Sequence, residues 1–172
     1  MKKTATLFLL LLLAVFSRAQ EILPSRYHFD KAEDYKQYEA NVIRGINWLA
    51  STPRTESKET RGLIEDFLVL WVKGTPDVQV IIEPYTMKLS KTNPDLLLSF
   101  IFGYTLYQLE HAEDKNLLNA NIAGITHLID DYIRNKEVFK KDEQIETLIS
   151  LQKSGKLEDW VKPRLTHTDS GN

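Results

Sequence analysis

The chain has 172 residues, 22 Lys and Arg against 24 Asp and Glu, no cysteine and 42% hydrophobic residues, a size and balance that suit one globular domain. The missing thiol excludes a disulfide-stapled miniprotein, a thiol nucleophile and a thiolate zinc site. With an acidic balance, no arginine cluster and no glycine-rich phosphate loop, nucleic acid and nucleotides are poor partners.

The first element is not part of the domain. Lys2 and Lys3 precede an unbroken apolar run over residues 7–16, then Ser17-Arg18-Ala19. A basic start, a ten-residue apolar core and small residues at the last and third-last positions predict a secretory signal over residues 1–19. The run is too short for a membrane-spanning helix, which needs about 20 residues, so no membrane span is expected after cleavage. Lys2, Lys3 and Arg18 leave with the signal and no acid does, so the mature chain carries 19 basic against 24 acidic residues, a net of −5. The expected destination is secreted or periplasmic. The absence of cysteine removes the acceptor for a lipid anchor and leaves packing alone to stabilise the fold.

Residues 20–29 have no period and read as an extended lead-in to a single domain over 20–161. Asp30 and Glu33 form a capping-box pattern, so the first helix is expected to open at Asp30. Tyr35, Tyr38, Val42, Ile46 and Leu49 then follow at steps of three and four, and Thr52-Pro53 ends the helix. A second helix is predicted over 57–73, with Leu63, Ile64, Phe67, Leu68 and Trp71 on one face and Gly74 as its stop. The β-branched segment 78–82 lies between Pro76-Asp77 and Pro84 and reads as one short extended segment, either a linker or a strand paired with residues 27–29 or with a second copy, with the entry to the next helix as the remaining alternative. A short helix is expected over 85–90.

Asn93-Pro94-Asp95 has the composition of a helix start, with Asn93 as cap and proline in the first turn. The helix it opens, over 94–110, is apolar except for one strip through Asp95, Ser99, Gly103 and Glu110, which predicts a central core helix. An amphipathic helix over 115–135 and another over 142–154, stopped by Gly155, complete the set. Leu157, Trp160 and Val161 close onto the core, and residues 162–172 read as a flexible tail. The fold class is therefore all-α, a helical bundle or stacked helical hairpins of about five helices.

No chemical motif stands out. His127 and Asp131, four apart, could offer two metal ligands with His111 or Glu110 as a third, but His127 falls opposite the apolar arc and reads as a solvated residue, so no metal or cofactor is assigned. The acid pairs at 33–34, 65–66 and 130–131 point about 100° apart on a helix and could serve a hydrolase only if the fold brought two together. Residues that break their helix pattern are better candidates. Trp48 lies off the stripe of its helix with Asn47 beside it, and Asn121 falls inside an apolar arc where its amide must find partners. Trp48, Asn47 and Asn121 are the candidate residues for ligand or partner binding.

Tyr35-x-x-Tyr38, Ile46-Asn47-Trp48-Leu49, Thr52-Pro53, Trp71 with Gly74-Thr75-Pro76, Asn93-Pro94-Asp95-Leu96-Leu97, Phe102-Gly103 and Asn121-x-Ala123-Gly124 together resemble a family of small exported helical proteins from Bacteroides-like bacteria. The resemblance covers nearly the whole mature chain and implies export and a helical domain. It carries over no functional residue. The reading is a non-enzymatic module that binds a protein, peptide or small apolar ligand between helices, with a cell-wall or glycan hydrolase using paired carboxylates as the alternative.

Overall fold

The computed structural model describes residues 22–166, so the expected signal and residues 167–172 of the expected tail lie outside the described residues. Within that span the chain is all-α: α1 (Ala32–Lys36), α2 (Glu39–Ser51), α3 (Lys58–Gly74), α4 (Pro84–Leu89), α5 (Leu96–Glu110), α6 (Leu117–Arg134), α7 (Glu143–Lys153) and α8 (Leu157–Val161), then a 3-10 turn over Lys162–Arg164. Among the described residues no helix is long and apolar enough to cross a membrane.

Two apolar clusters share α5. On one side Phe102 joins Val42, Ile46 and Leu49 of α2 with Ile64, Phe67, Leu68 and Trp71 of α3. On the other, Phe100 and Tyr104 meet Ile125, Leu128 and Ile129 of α6, Ile145 and Leu148 of α7, and Leu157 and Val161 of α8. A helix covered on both sides has no use for a solvated face, which is why α5 is apolar nearly all round. The middle of the polar strip that interrupts it, Ser99 and Gly103, is buried toward α6, whereas Asp95 and Glu110 at its ends are exposed. A Cβ on Gly103 would lie 2.3 Å from the Cβ of His127 and 2.9 Å from the Ala123 carbonyl, and one on Gly124 only 2.7 Å from the Phe100 ring. The two glycines let α5 and α6 approach closely, and these helices form the most extensive pairing in the molecule.

Several expected details shift, each for a local reason. The first helix starts at Ala32, and the carboxylate that reaches back is that of Asp34, which accepts from the amides of Asp30 (3.0 Å) and Lys31 (3.1 Å). The stripe from Tyr35 to Leu49 is split by a turn at residues 37–38, so it spans α1 and α2. Gly74 is required by close approach, since a Cβ there would sit 2.0 Å from the Tyr35 hydroxyl. Leu63 faces outward and is 56% exposed, while Arg61 takes a place on the buried side of α3.

Segment 78–82 is extended but unpaired; no strand forms among the described residues. Val78 is buried against the α2–α3 cluster and the Gln79 amide donates to the Gln108 side chain of α5 at 3.1 Å, so the segment is a linker laid across a helix. Asn93 does not cap α5, which begins at Leu96. Its side chain is instead clamped to the Lys140 backbone, with Nδ2 donating to the carbonyl and Oδ1 accepting from the amide, both at 2.9 Å. That tertiary clamp competes with capping for the same amide and wins. The helix expected from residue 115 opens at Leu117 on the side-chain cap of Asn116, the one expected from 142 opens at Glu143 with Asp142 as its cap, and Gly155 follows α7 with φ +70°. The start of the expected tail is tied down: Thr166 donates from its amide (3.1 Å) and hydroxyl (2.6 Å) to the buried Glu83 carboxylate.

Candidate functional site

Two of the concave places among the described residues bring charged and aromatic side chains together. The first is a cleft where α2, α3, α5 and α6 meet, lined among others by Arg54, Arg61, Glu65, Ser99, His127, Asp131 and Arg134. Arg54 follows the Thr52-Pro53 stop of α2 and points inward. Its Nε and Nη2 donate to the Asp131 carboxylate at 2.8–3.2 Å, and its amide donates to Asn135 Oδ1 at 2.8 Å. Ser99 (2.5 Å) and Asn135 (2.8 Å) donate to the same carboxylate. Burial opposes the Arg54 charge, but the hydrogen bond to Asp131 and its charge outweigh it and hold the guanidinium above its ordinary pKa.

Arg61 donates to the Leu49 and Thr52 carbonyls, satisfying the last turn of α2, and lies over the Trp48 ring at 5.9 Å. Burial and then repulsion from Arg54 lower its pKa, and burial raises that of Glu65 despite Arg54 and Arg61 nearby. His127 is not solvated as the helical wheel implied. It packs into the seam over Gly103, and burial pulls its pKa below the usual histidine value. The fold thus brings His127 and Asp131 to one cleft, but Asp131 is committed to Arg54, Ser99 and Asn135. The cavity holds about 70 Å³, room for a few waters.

The second place is an open groove of about 440 Å³ between α4, α7 and α8. Tyr85 and Trp160 form its aromatic wall, rings 5.4 Å apart and nearly perpendicular. Arg164 lies one turn after Trp160, its guanidinium 4.1 Å over the indole, with Nη1 donating to the Trp160 carbonyl at 2.6 Å. Lys88, Gln144, Thr147 and Thr166 complete the lining. The depth of the wall is set by Asn121, whose Oδ1 accepts from the Tyr85 hydroxyl at 2.5 Å while Nδ2 donates to the Leu117 carbonyl at 2.8 Å. Burial raises the Tyr85 pKa, so the hydroxyl stays a donor at neutral pH.

The three residues singled out by sequence are therefore scattered. Asn121 is buried behind the groove wall, Trp48 is half-buried against the α2–α3 cluster, and Asn47 is exposed beside it. Arg54, Lys88 and Arg164 carry no pattern signal, and Trp160 reads from sequence only as a residue closing onto the core. Arg61 left a signal, because it shares the 61, 64, 68, 71 stripe with three core residues. His28, Asp30 and Asp34 also converge, at the start of α1, where capping explains Asp34. Comparison with known proteins returns no matching family model, no matching curated protein and no matching solved structure.

Proposed function

We propose that the chain is an exported, non-enzymatic binding module, built as stacked helical hairpins, that takes a small ligand in the Tyr85–Trp160 groove. One observation carries this reading: about 440 Å³ of open volume beside an aromatic wall, within the usual size of ligand sites at about 300–1,000 Å³. Asn121 contributes by positioning Tyr85, not by touching the ligand. The alternative, a glycan hydrolase with paired carboxylates, would have to use the Glu65–Asp131 cleft, since that is where acids gather with His127. Its 70 Å³ is far below the size of a sugar site, and Asp131 is already neutralised by Arg54. The ion-paired cleft is better understood as a strut that fastens α2 and α3 to α5 and α6. Export rests on the signal pattern of residues 1–19 and is tested by the mass of the secreted chain, expected to begin at Gln20.

A thermal-shift screen of a small-molecule library tests the site. Saturating ligand at about 100 times its Kd adds about 2.7 kcal/mol of stability. Hits on the wild type should vanish in Trp160→Ala and persist in Trp48→Ala. The reverse pattern would move the site to the Trp48–Asn47 face.

A further inference from the structure

The groove is electrostatically one-sided. Its lining contains two cations, Lys88 and Arg164, and no Asp or Glu, in a chain whose formal net charge is −2. Neither cation forms an ion pair among the described residues, whereas the buried cations Arg54 and Arg61 both do. Among the carboxylates adjacent in sequence to lining residues, Glu83 is 1% exposed and accepts from Thr166, Glu143 pairs with Lys141 at 2.7 Å, and Asp159 is exposed and not part of the lining. Arg164 is also held in place: stacking on Trp160 and the single bond from Nη1 fix the guanidinium, while Nε and Nη2 make no hydrogen bond among the described residues. Two free N–H groups on one edge of a fixed, planar cation match the two oxygens of a carboxylate.

Resting on the assignment of this groove as the binding site, we propose that its ligand is a small ring-bearing carboxylate. The ring lies against the Tyr85–Trp160 wall, where aromatic and sugar rings both find a flat apolar partner. The carboxylate meets the free edge of Arg164 with Lys88 across the groove, and Gln144 and Thr147 are placed to bond ring substituents. Aromatic acids and acidic sugars share this chemistry.

The test is calorimetric titration of the full chain with two matched pairs, indole-3-acetate against indole-3-acetamide and glucuronate against glucuronamide. At least one acid should bind about tenfold or more tighter than its amide, the scale of one charge-assisted hydrogen bond. Arg164→Gln and Lys88→Gln, both on exposed positions, should each remove most of that preference, and raised salt should weaken the acid alone. The responding pair names the ring. Equal binding of acid and amide, lost in Trp160→Ala and retained in Trp160→Phe, would overturn the carboxylate and leave the groove standing. Failure of both acids to bind below the millimolar range would also overturn the carboxylate, and the groove would then be judged by the library screen.

Discussion

Replacing Arg54 with methionine should destabilise the protein by about 3–5 kcal/mol, because it removes one partner of a buried ion pair and strands the other. The Arg54 side chain is 9% exposed and that of Asp131 11%, so water can screen little of the uncompensated carboxylate. Ser99 and Asn135 still donate to Asp131, which keeps the loss from being larger, but neither carries charge. The Arg54 contact over the Phe139 ring, 5.1 Å, disappears as well. For a domain of this size about 2–4 °C of Tm accompanies each kcal/mol, so the variant should melt about 6–20 °C lower. Guanidinium denaturation followed by circular dichroism measures the loss directly. Asp131→Leu should be similarly damaging, and Arg54→Met with Asp131→Leu should be less so than either alone, since an apolar pair leaves no buried charge. A loss below about 1 kcal/mol for Arg54→Met, or a double variant as costly as the two singles combined, would refute the strut.

Three further outcomes follow from particular contacts. The His127 pKa is depressed in the fold, so below its ordinary value of 6.5 the unfolded chain takes up the proton first and stability falls as pH drops. Chemical denaturation between pH 7 and pH 5 should show a gentler decline for His127→Gln, although Asp130, Asp131 and Arg134 also act on the ring; an unchanged slope would place the histidine in solvent. Gly103→Ala forces a methyl against His127 and the Ala123 carbonyl and should cost about 1–3 kcal/mol, whereas Gly62→Ala, with nothing within 4 Å, should gain about 0.5–1 kcal/mol from helix propensity. Equal effects in thermal melts would contradict the close α5–α6 seam. Asn121→Ala leaves the buried Tyr85 hydroxyl without its acceptor and should cost about 1–3 kcal/mol, with Tyr85→Phe in the same background restoring part of it.

Local signals located most helices because their causes are local. The caps at Asn116 and Asp142 and the stop at Gly155 are made by residues within a turn of the feature they control. The same kind of reading failed at Asn93 because its amide is claimed by Lys140, 47 positions away. It failed at His127 because an angle on a wheel gives a direction but not what another helix places there; Gly103 of α5 does. Ser99 and Gly103 stand out in the sequence only as a break in an apolar helix, and the structure makes them the seam with α6. The groove was invisible for a stronger reason: Tyr85 and Trp160 lie 75 positions apart in sequence, and each alone reads as an ordinary core aromatic. Asn121 was noticed as a buried amide needing partners, and the carbonyl and tyrosine hydroxyl it finds are the kinds its chemistry requires.

The central claim is that ligand enters the Tyr85–Trp160 groove and not the ion-paired cleft or the Trp48 face. Backbone amide shift mapping by NMR, with indole-3-acetate and glucuronate titrated into the full chain, addresses it most directly. Perturbations should gather at Tyr85, Lys88, Gln144, Thr147, Trp160 and Arg164. Perturbations gathered instead around Asn47 and Trp48, or around Glu65, His127 and Asp131, would contradict it.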